Sequence, residues 1–261
     1  MKKLARILVV VCILFLAAGF ANQPVFAEDT EPSAAYVAQI GSAKYTTLQA
    51  AVDHTANAAT ITLLTDVRLT DTVSLLSETD TMFDLDMNGH NITGNCTIFA
   101  FSGKISIYLK NPKQTGGTIT SSSPDQSAVI MSSPNTGGME ISDISIVSEN
   151  AVGVESDGAV IELNSGSIRG GTYGVSCDNS GSFSFYGGMV SGGTAYFTSN
   201  SGYTPSFNLS LKTEISEDQK TATVTGAVAT TVNGFTLYFL TLQDALNYCP
   251  DNIHSFFWGG T

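Results

Sequence analysis

Glu140 and Glu162 stand 22 residues apart in nearly the same setting, Met139-Glu140-Ile141 and Ile161-Glu162-Leu163. Two carboxylates repeated in this way have three chemical uses. Held about 5 Å apart, they match the acid and nucleophile of a retaining glycosidase. With Asp143 beside them, they supply the hard oxygen donors that a Ca2+ ion takes. With neither substrate nor ion, they are solvated surface acids that repel weakly. A second group suits contact with sugars: the rings of Tyr108, Tyr173 and Tyr186, with Lys110 and Lys113 among the few cations of their region. The alternative for these is aromatic packing at corners and tolerated surface loops. Arg169 is the one base close in sequence to the acid pair. No cofactor is expected other than that Ca2+ ion.

A repeat is what would bring these residues together. Residues 161–175 (IELNSGSIRGGTYGV) and 183–197 (FSFYGGMVSGGTAYF) keep the order of apolar, polar and Gly positions while changing most letters. Using Ile161-x-Leu163 as a marker, steps of 22 lead forward to Phe183-x-Phe185 and back to Met139-x-Ile141. A step of 34 reaches Ile105-x-Ile107, and two more of 22 reach Phe83-x-Leu85 and Ile61-x-Leu63. A final step of 24 gives Phe207-x-Leu209. Alternation of apolar and polar residues is strand periodicity, and Gly at fixed offsets supplies sharp corners. Short strands and corners repeating at this interval describe the coils of a parallel β-helix, each pairing with the next about 4.8 Å away. Inward positions must then be apolar while outward ones are free. A β-sandwich has no reason to hold one offset over so many steps. The markers predict an outward column of Thr62, Asp84, Ser106, Glu140, Glu162, Ser184 and Asn208. The longer step predicts inserted loops at 111–117 and 121–127, on the face where repeat proteins often bind.

The ends of such a coil need covering. Residues 46–54 (TTLQAAVDH) read as a short amphipathic helix, with Thr46 and Gln49 at capping-box spacing and Leu48, Ala51 and Val52 on one face. After Leu211 comes a charged break, then a strand in TATVTGAV, then Thr241-Leu242-Gln243, which echoes Thr47-Leu48-Gln49 at an offset of 194. The expected organisation is a signal peptide over 1–27, an N-terminal strand and capping helix over 28–58, the parallel β-helix over 59–211, and over 212–261 a linker with either the start of a second similar module or a C-terminal cap.

Export is expected from Lys2, Lys3 and Arg6, the apolar run Ile7–Ala21 and the small residue Ala27. The run is short for a membrane span, so no membrane insertion is expected after cleavage. An uncleaved anchor is the alternative. Those three bases are lost with the leader, against none of the 23 acids, so the formal net charge moves from −12 to −15. A chain this acidic repels nucleic acid and anionic lipid. Cys96, Cys177 and Cys249 are too few and too odd in number for a disulfide framework, and read as buried small hydrophobes.

Residues 59–75 (ATITLLTDVRLTDTVSL) and 83–94 (FDLDMNGHNITG), behind the TLQAA helix, resemble the right-handed, single-stranded, pectate-lyase-like β-helix regions of secreted and cell-surface proteins from Gram-positive bacteria. The resemblance spans roughly residues 36–211 and implies an all-β, right-handed parallel β-helix with a short N-terminal capping helix. It also implies an adhesion, glycan-binding or surface-display role, with a glycan or a host or cell-wall surface as partner. The fold hosts polysaccharide lyases and glycoside hydrolases too. Their Asn-Thr-Asp, Gly-His-Gly and Arg-Ile-Lys signatures are absent from this sequence, and His90, in Asn88-Gly89-His90-Asn91, reads as a corner residue. The expected function is therefore a non-catalytic binding or display module.

Overall fold

The computed structural model describes residues 35–133, 137–207, 211–225, 228–232, 235–239 and 256–258. The expected leader, the second TLQ motif and Cys249 lie outside them. The chain opens with β1 (Ala38–Ile40), β2 (Ala43–Tyr45) and helix α1 (Leu48–Asp53). The coils follow: β3 (Ala59–Leu63), β4 (Val67–Leu69), β5 (Val73–Asp86), β6 (Ile92–Gly94), β7 (Phe99–Lys110), β8 (Thr118–Ser121), β9 (Val129–Ser132), β10 (Gly138–Ser142), β11 (Ile144–Ser148), β12 (Val154–Asp157), β13 (Val160–Leu163), β14 (Gly166–Gly170), β15 (Tyr173–Asp178), β16 (Ser182–Phe185), β17 (Gly188–Gly192), β18 (Ala195–Ser199) and β19 (Ser206–Phe207). A hairpin of β20 (Lys212–Ile215) and β21 (Thr221–Thr225) comes next. Then come β22 (Val228–Val232), β23 (Phe235–Phe239) and β24 (Phe256–Trp258).

The coil strands stack in three parallel rows, giving a β-solenoid of about six turns. Face A holds β3, the second half of β5, the second half of β7, β10, β13, β16 and β19. Face B holds β4, β6, β8, β11, β14 and β17. Face C holds the first halves of β5 and β7, then β9, β12, β15 and β18. β5 and β7 each run from face C into face A, with a register shift between Ser77 and Thr81 where they turn.

The core is a set of side-chain files, because alternate residues of each strand point inward. Face A contributes Ile61, Leu85, Leu109, Ile141, Leu163 and Phe185, all buried. Face B contributes Ile92, Ile119, Ile146, Ile168 and Val190, and face C Val73, Phe99, Val129, Val154 and Val175, buried as well. Parallel strands covered only on one side can keep polar residues outward, which is what frees the outer letters of the repeat.

The register corrects the expected spacing. Leu85 lies opposite Ile61 and Leu109 opposite Leu85, while Ile141 lies opposite Leu109. Phe83 therefore faces Ala59 and Ile107, Met139 faces Ile107 instead of Ile105, and Phe207 faces Phe185 instead of Phe183. Each slip is two residues. A two-residue slip keeps every side chain on its own side of the sheet, so alternation alone does not detect it.

At the N-terminal end, β1 pairs antiparallel with both β2 and β3, which stops parallel growth on that edge of face A. Helix α1 buries Leu48, Ala51 and Val52 against the first coil. Its N-cap is Thr47, whose hydroxyl accepts the Ala50 N–H at 3.1 Å, so the cap sits one residue later than expected. Gln49 does not close a capping box. Its amide nitrogen donates to the Ser74 carbonyl at 2.8 Å and its amide oxygen accepts the Ser74 N–H at 2.8 Å. One side chain thus imitates a paired strand at the bare edge of face C. Gln49→Ala should cost about 1–2 kcal/mol, the sum of two such bonds, and speed amide exchange at residues 73–77. Unchanged exchange there would show that the edge needs no such pairing.

At the other end, β21 pairs antiparallel with β17 and buries Ala222 and Val224. The charged break 212–220 forms β20 and its turn, so this hairpin closes the β17 edge of face B with antiparallel pairing. Of the two cysteines described, both are buried and free, and burial pushes the Cys177 thiol up to about 12.

Candidate ligand cleft

The outward side of face A carries most of the residues singled out above. In register, Asp84 on β5 lies opposite Tyr108 on β7, Tyr108 opposite Glu140 on β10, Glu140 opposite Glu162 on β13, and Glu162 opposite Ser184 on β16. The two-residue slip puts Tyr108 into this line. Ser106, expected there, moves to the next line with Met82 and Gly138. Tyr108 therefore stands directly beside the acid pair, a placement the sequence spacing did not give.

Gly138 shapes the surface around the line. It lies between Ser106 and Val160 in register and has no side chain to fill the space. A Cβ there would overlap the Val160 carbonyl oxygen. The hollow is an open cleft of ≈ 520 Å³, with Ser106, Tyr108, Gly137, Glu140, Glu162 and Ser180 among its lining residues.

Charge in and beside the cleft is held in fixed pairs. Lys110 Nζ donates to Asp84 Oδ2 at 2.5 Å, with both side chains largely covered. Lys110 is thus a brace for Asp84. Asn164, which the sequence reading passed over, donates its amide to Glu140 Oε1 at 2.5 Å. Its only sequence signal is its place directly after Leu163, where the strand leaves the inward file. Burial pushes the Glu140 carboxyl above the ordinary glutamate range. The Asn164 bond opposes that shift, and the nearby Glu162 and Asp84 carboxylates add to it.

The sign of this shift predicts a pH effect. The folded chain holds the Glu140 proton more tightly than the unfolded chain, whose reference value is 4.5. The stability this group supplies is fully present below that value and is lost as pH rises through the raised one. Glu140→Gln should gain stability relative to the parent as pH climbs from about 4.5, then hold a constant difference. Urea titrations across pH 4–8 should show this, and parallel pH curves for the two proteins would contradict it.

The remaining residues are scattered. Asp143 occupies the corner after β10 at φ 58°, where Ser165 Oγ donates to its carboxylate at 2.9 Å and accepts its N–H at 2.9 Å. It serves the corner, and among the described residues no group of three or more His, Cys, Asp or Glu is arranged to hold a metal ion. Lys113 is exposed on the loop between β7 and β8, on the corner next to Gly89. Tyr173 begins β15 on face C, away from the acid line. Tyr186 is exposed just past β16 on face A, one 22-residue step beyond Asn164. His90 is a corner residue: its N–H donates to the Met87 carbonyl at 2.8 Å, behind Asn88 and Gly89 with φ of 50° and 84°.

The cleft thus offers a phenol ring, two carboxylates in register and hydroxyls, in an open hollow on the sheet. Such a set accepts hydrogen bonds from vicinal hydroxyls and lays a ring against a sugar face. No family model, curated protein or solved structure matches the chain.

Proposed function

We propose that this chain is an exported, non-catalytic β-solenoid of the cell surface that binds a glycan along the outward cleft of face A. The observation that carries the reading is the line Tyr108–Glu140–Glu162, in register across three adjacent strands and bordering one hollow. Repetition along the solenoid axis suits an extended polymer better than a compact ligand. The charge of the cleft sets the class of glycan. Two carboxylates in a chain of formal net charge −12 repel polyuronates, so a neutral polysaccharide is the partner. The resemblance to pectate-lyase-like surface proteins of Gram-positive bacteria agrees with a wall or host surface as the place where it meets that partner.

A second reading, a retaining glycoside hydrolase, has one observation behind it. Burial raises the Glu140 carboxyl above the ordinary glutamate range, the direction a general acid needs, with Glu162 on the adjacent strand. A single experiment separates the readings. The protein is screened against neutral, amino and uronic glycans, with and without Ca2+, for both binding and product formation. Binding of a neutral glycan without turnover, weakened about tenfold or more in Tyr108→Ala, supports the binding module. Turnover abolished by Glu162→Gln supports the hydrolase. Silence across all classes removes both.

A further inference from the structure

We infer that the cleft of face A selects an N-acetylated hexosamine, taking the acetamido methyl into the notch over Gly138. This rests on the glycan reading above and narrows it. The cleft is a grid of three rungs and two rows. On β7, β10 and β13 in turn, the first row holds Tyr108, Glu140 and Glu162. The second row, two residues back along each strand, holds Ser106, Gly138 and Val160. Neighbouring rungs lie about 4.8 Å apart and the two rows about 7 Å apart.

The rows differ in chemistry. The first is a row of acceptors beside an aromatic ring. Asn164 occupies Glu140 Oε1, which leaves Oε2 for a ligand donor. The second row is recessed and apolar. Gly138 puts no side chain into the hollow, and Val160 beside it is 44% exposed on the outward side of its strand. Met82, across Ser106 in the same row, is 39% exposed. Apolar side chains left open around a notch that polar groups border are the mark of a binding surface.

A sugar substituent that fits must serve both rows at once. With a pyranose ring against Tyr108, the next rung offers Glu140 to the ring's edge and Gly138 beyond it. An acetamido group spans that step. Its N–H donates to the Glu140 carboxylate, its methyl passes into the notch against Val160, and its carbonyl oxygen can accept from the Ser106 hydroxyl. A hydroxyl in the same position meets the acceptor and leaves the notch and Val160 wet. An ammonium matches the carboxylates and brings no methyl. A uronate carboxylate opposes them.

The test compares oligosaccharides of one linkage and length built from N-acetylglucosamine, glucose or glucosamine. Their binding to the full chain is measured by calorimetry at neutral pH. The acetamido probe should bind about tenfold more tightly than the hydroxyl probe, the worth of one covered methyl and one hydrogen bond. Val160→Ser, at an exposed position outside the core, should narrow the gap to about threefold and leave the affinity for the hydroxyl probe unchanged. Equal affinity for those two probes overturns the inference and leaves the glycan reading standing. A preference for the ammonium probe also overturns it, because the carboxylates then select by charge alone. So does a Val160→Ser chain that keeps the full gap, because the notch is then not what reads the substituent. No binding of any probe, with the wider glycan screen silent as well, removes the glycan reading and this inference with it.

Discussion

Phe185→Ala lowers the unfolding free energy by about 3–5 kcal/mol, the largest loss expected of any single truncation here. Phe185 is fully buried and belongs to a run of rings. Its centroid lies 5.7 Å from that of Phe183 and 5.9 Å from that of Phe207. Truncation removes the apolar transfer energy of the ring and leaves a hollow that neighbours bonded to the coils above and below cannot close. Both terms fall on one coil. In a solenoid, stability is close to a sum over coils and their interfaces. The loss should therefore appear first as faster amide exchange over residues 183–207, with residues 61–85 affected last. Tyr186→Ala, on the exposed residue next door, should stay within about 0.5 kcal/mol. A Phe185→Ala loss below about 1 kcal/mol in urea titration would mean that the ring file is not the core it is taken to be.

Gly170→Val should cost about 3 kcal/mol, and for the opposite reason. Here atoms are added where there is no room. A Cβ on Gly170 would overlap the Tyr173 carbonyl oxygen and lie 2.9 Å from the Gly153 nitrogen. Those are backbone atoms, so no side-chain rotation relieves the clash. The corner between faces B and C must open, and the coil below must follow. Gly192 meets the same crowding one coil later, with the Ala195 carbonyl oxygen and the Gly174 nitrogen in the equivalent places. The recurrence of Gly at 170 and 192 is thus a steric requirement of stacked corners. Calorimetry on Gly170→Val and Gly192→Val should give similar losses, and a loss at one site alone would contradict a shared cause.

The stacking was legible in the sequence because a solenoid applies one rule to every coil. Ile141, Leu163 and Phe185 form a single file, as the 22-residue step required. The loop at 111–117 falls as expected, and the one expected at 121–127 runs over 122–128, since Ser121 ends β8. The register across the inserted coil was not legible. Phe83-x-Leu85 and Ile105-x-Ile107-x-Leu109 offer several inward positions, and backbone pairing chooses among them without regard to side-chain identity. That choice decides whether Ser106 or Tyr108 stands beside Glu140. Asn164 and the Asp84–Lys110 pair escaped notice for a related reason. Their partners are some two dozen residues away and become neighbours only after the coils are in register.

The ladder has a mechanical consequence. The solenoid starts at β3 on one end and finishes at β21 on the other, so a load applied to the two ends acts along the stacking axis, across the rungs. Rungs loaded in this direction part in sequence, like a zip. Each 22-residue coil occupies about 4.8 Å of axis yet pays out about 75 Å of contour once freed. A solenoid of this design, pulled by its two ends, yields in steps and lengthens many-fold before it is taut.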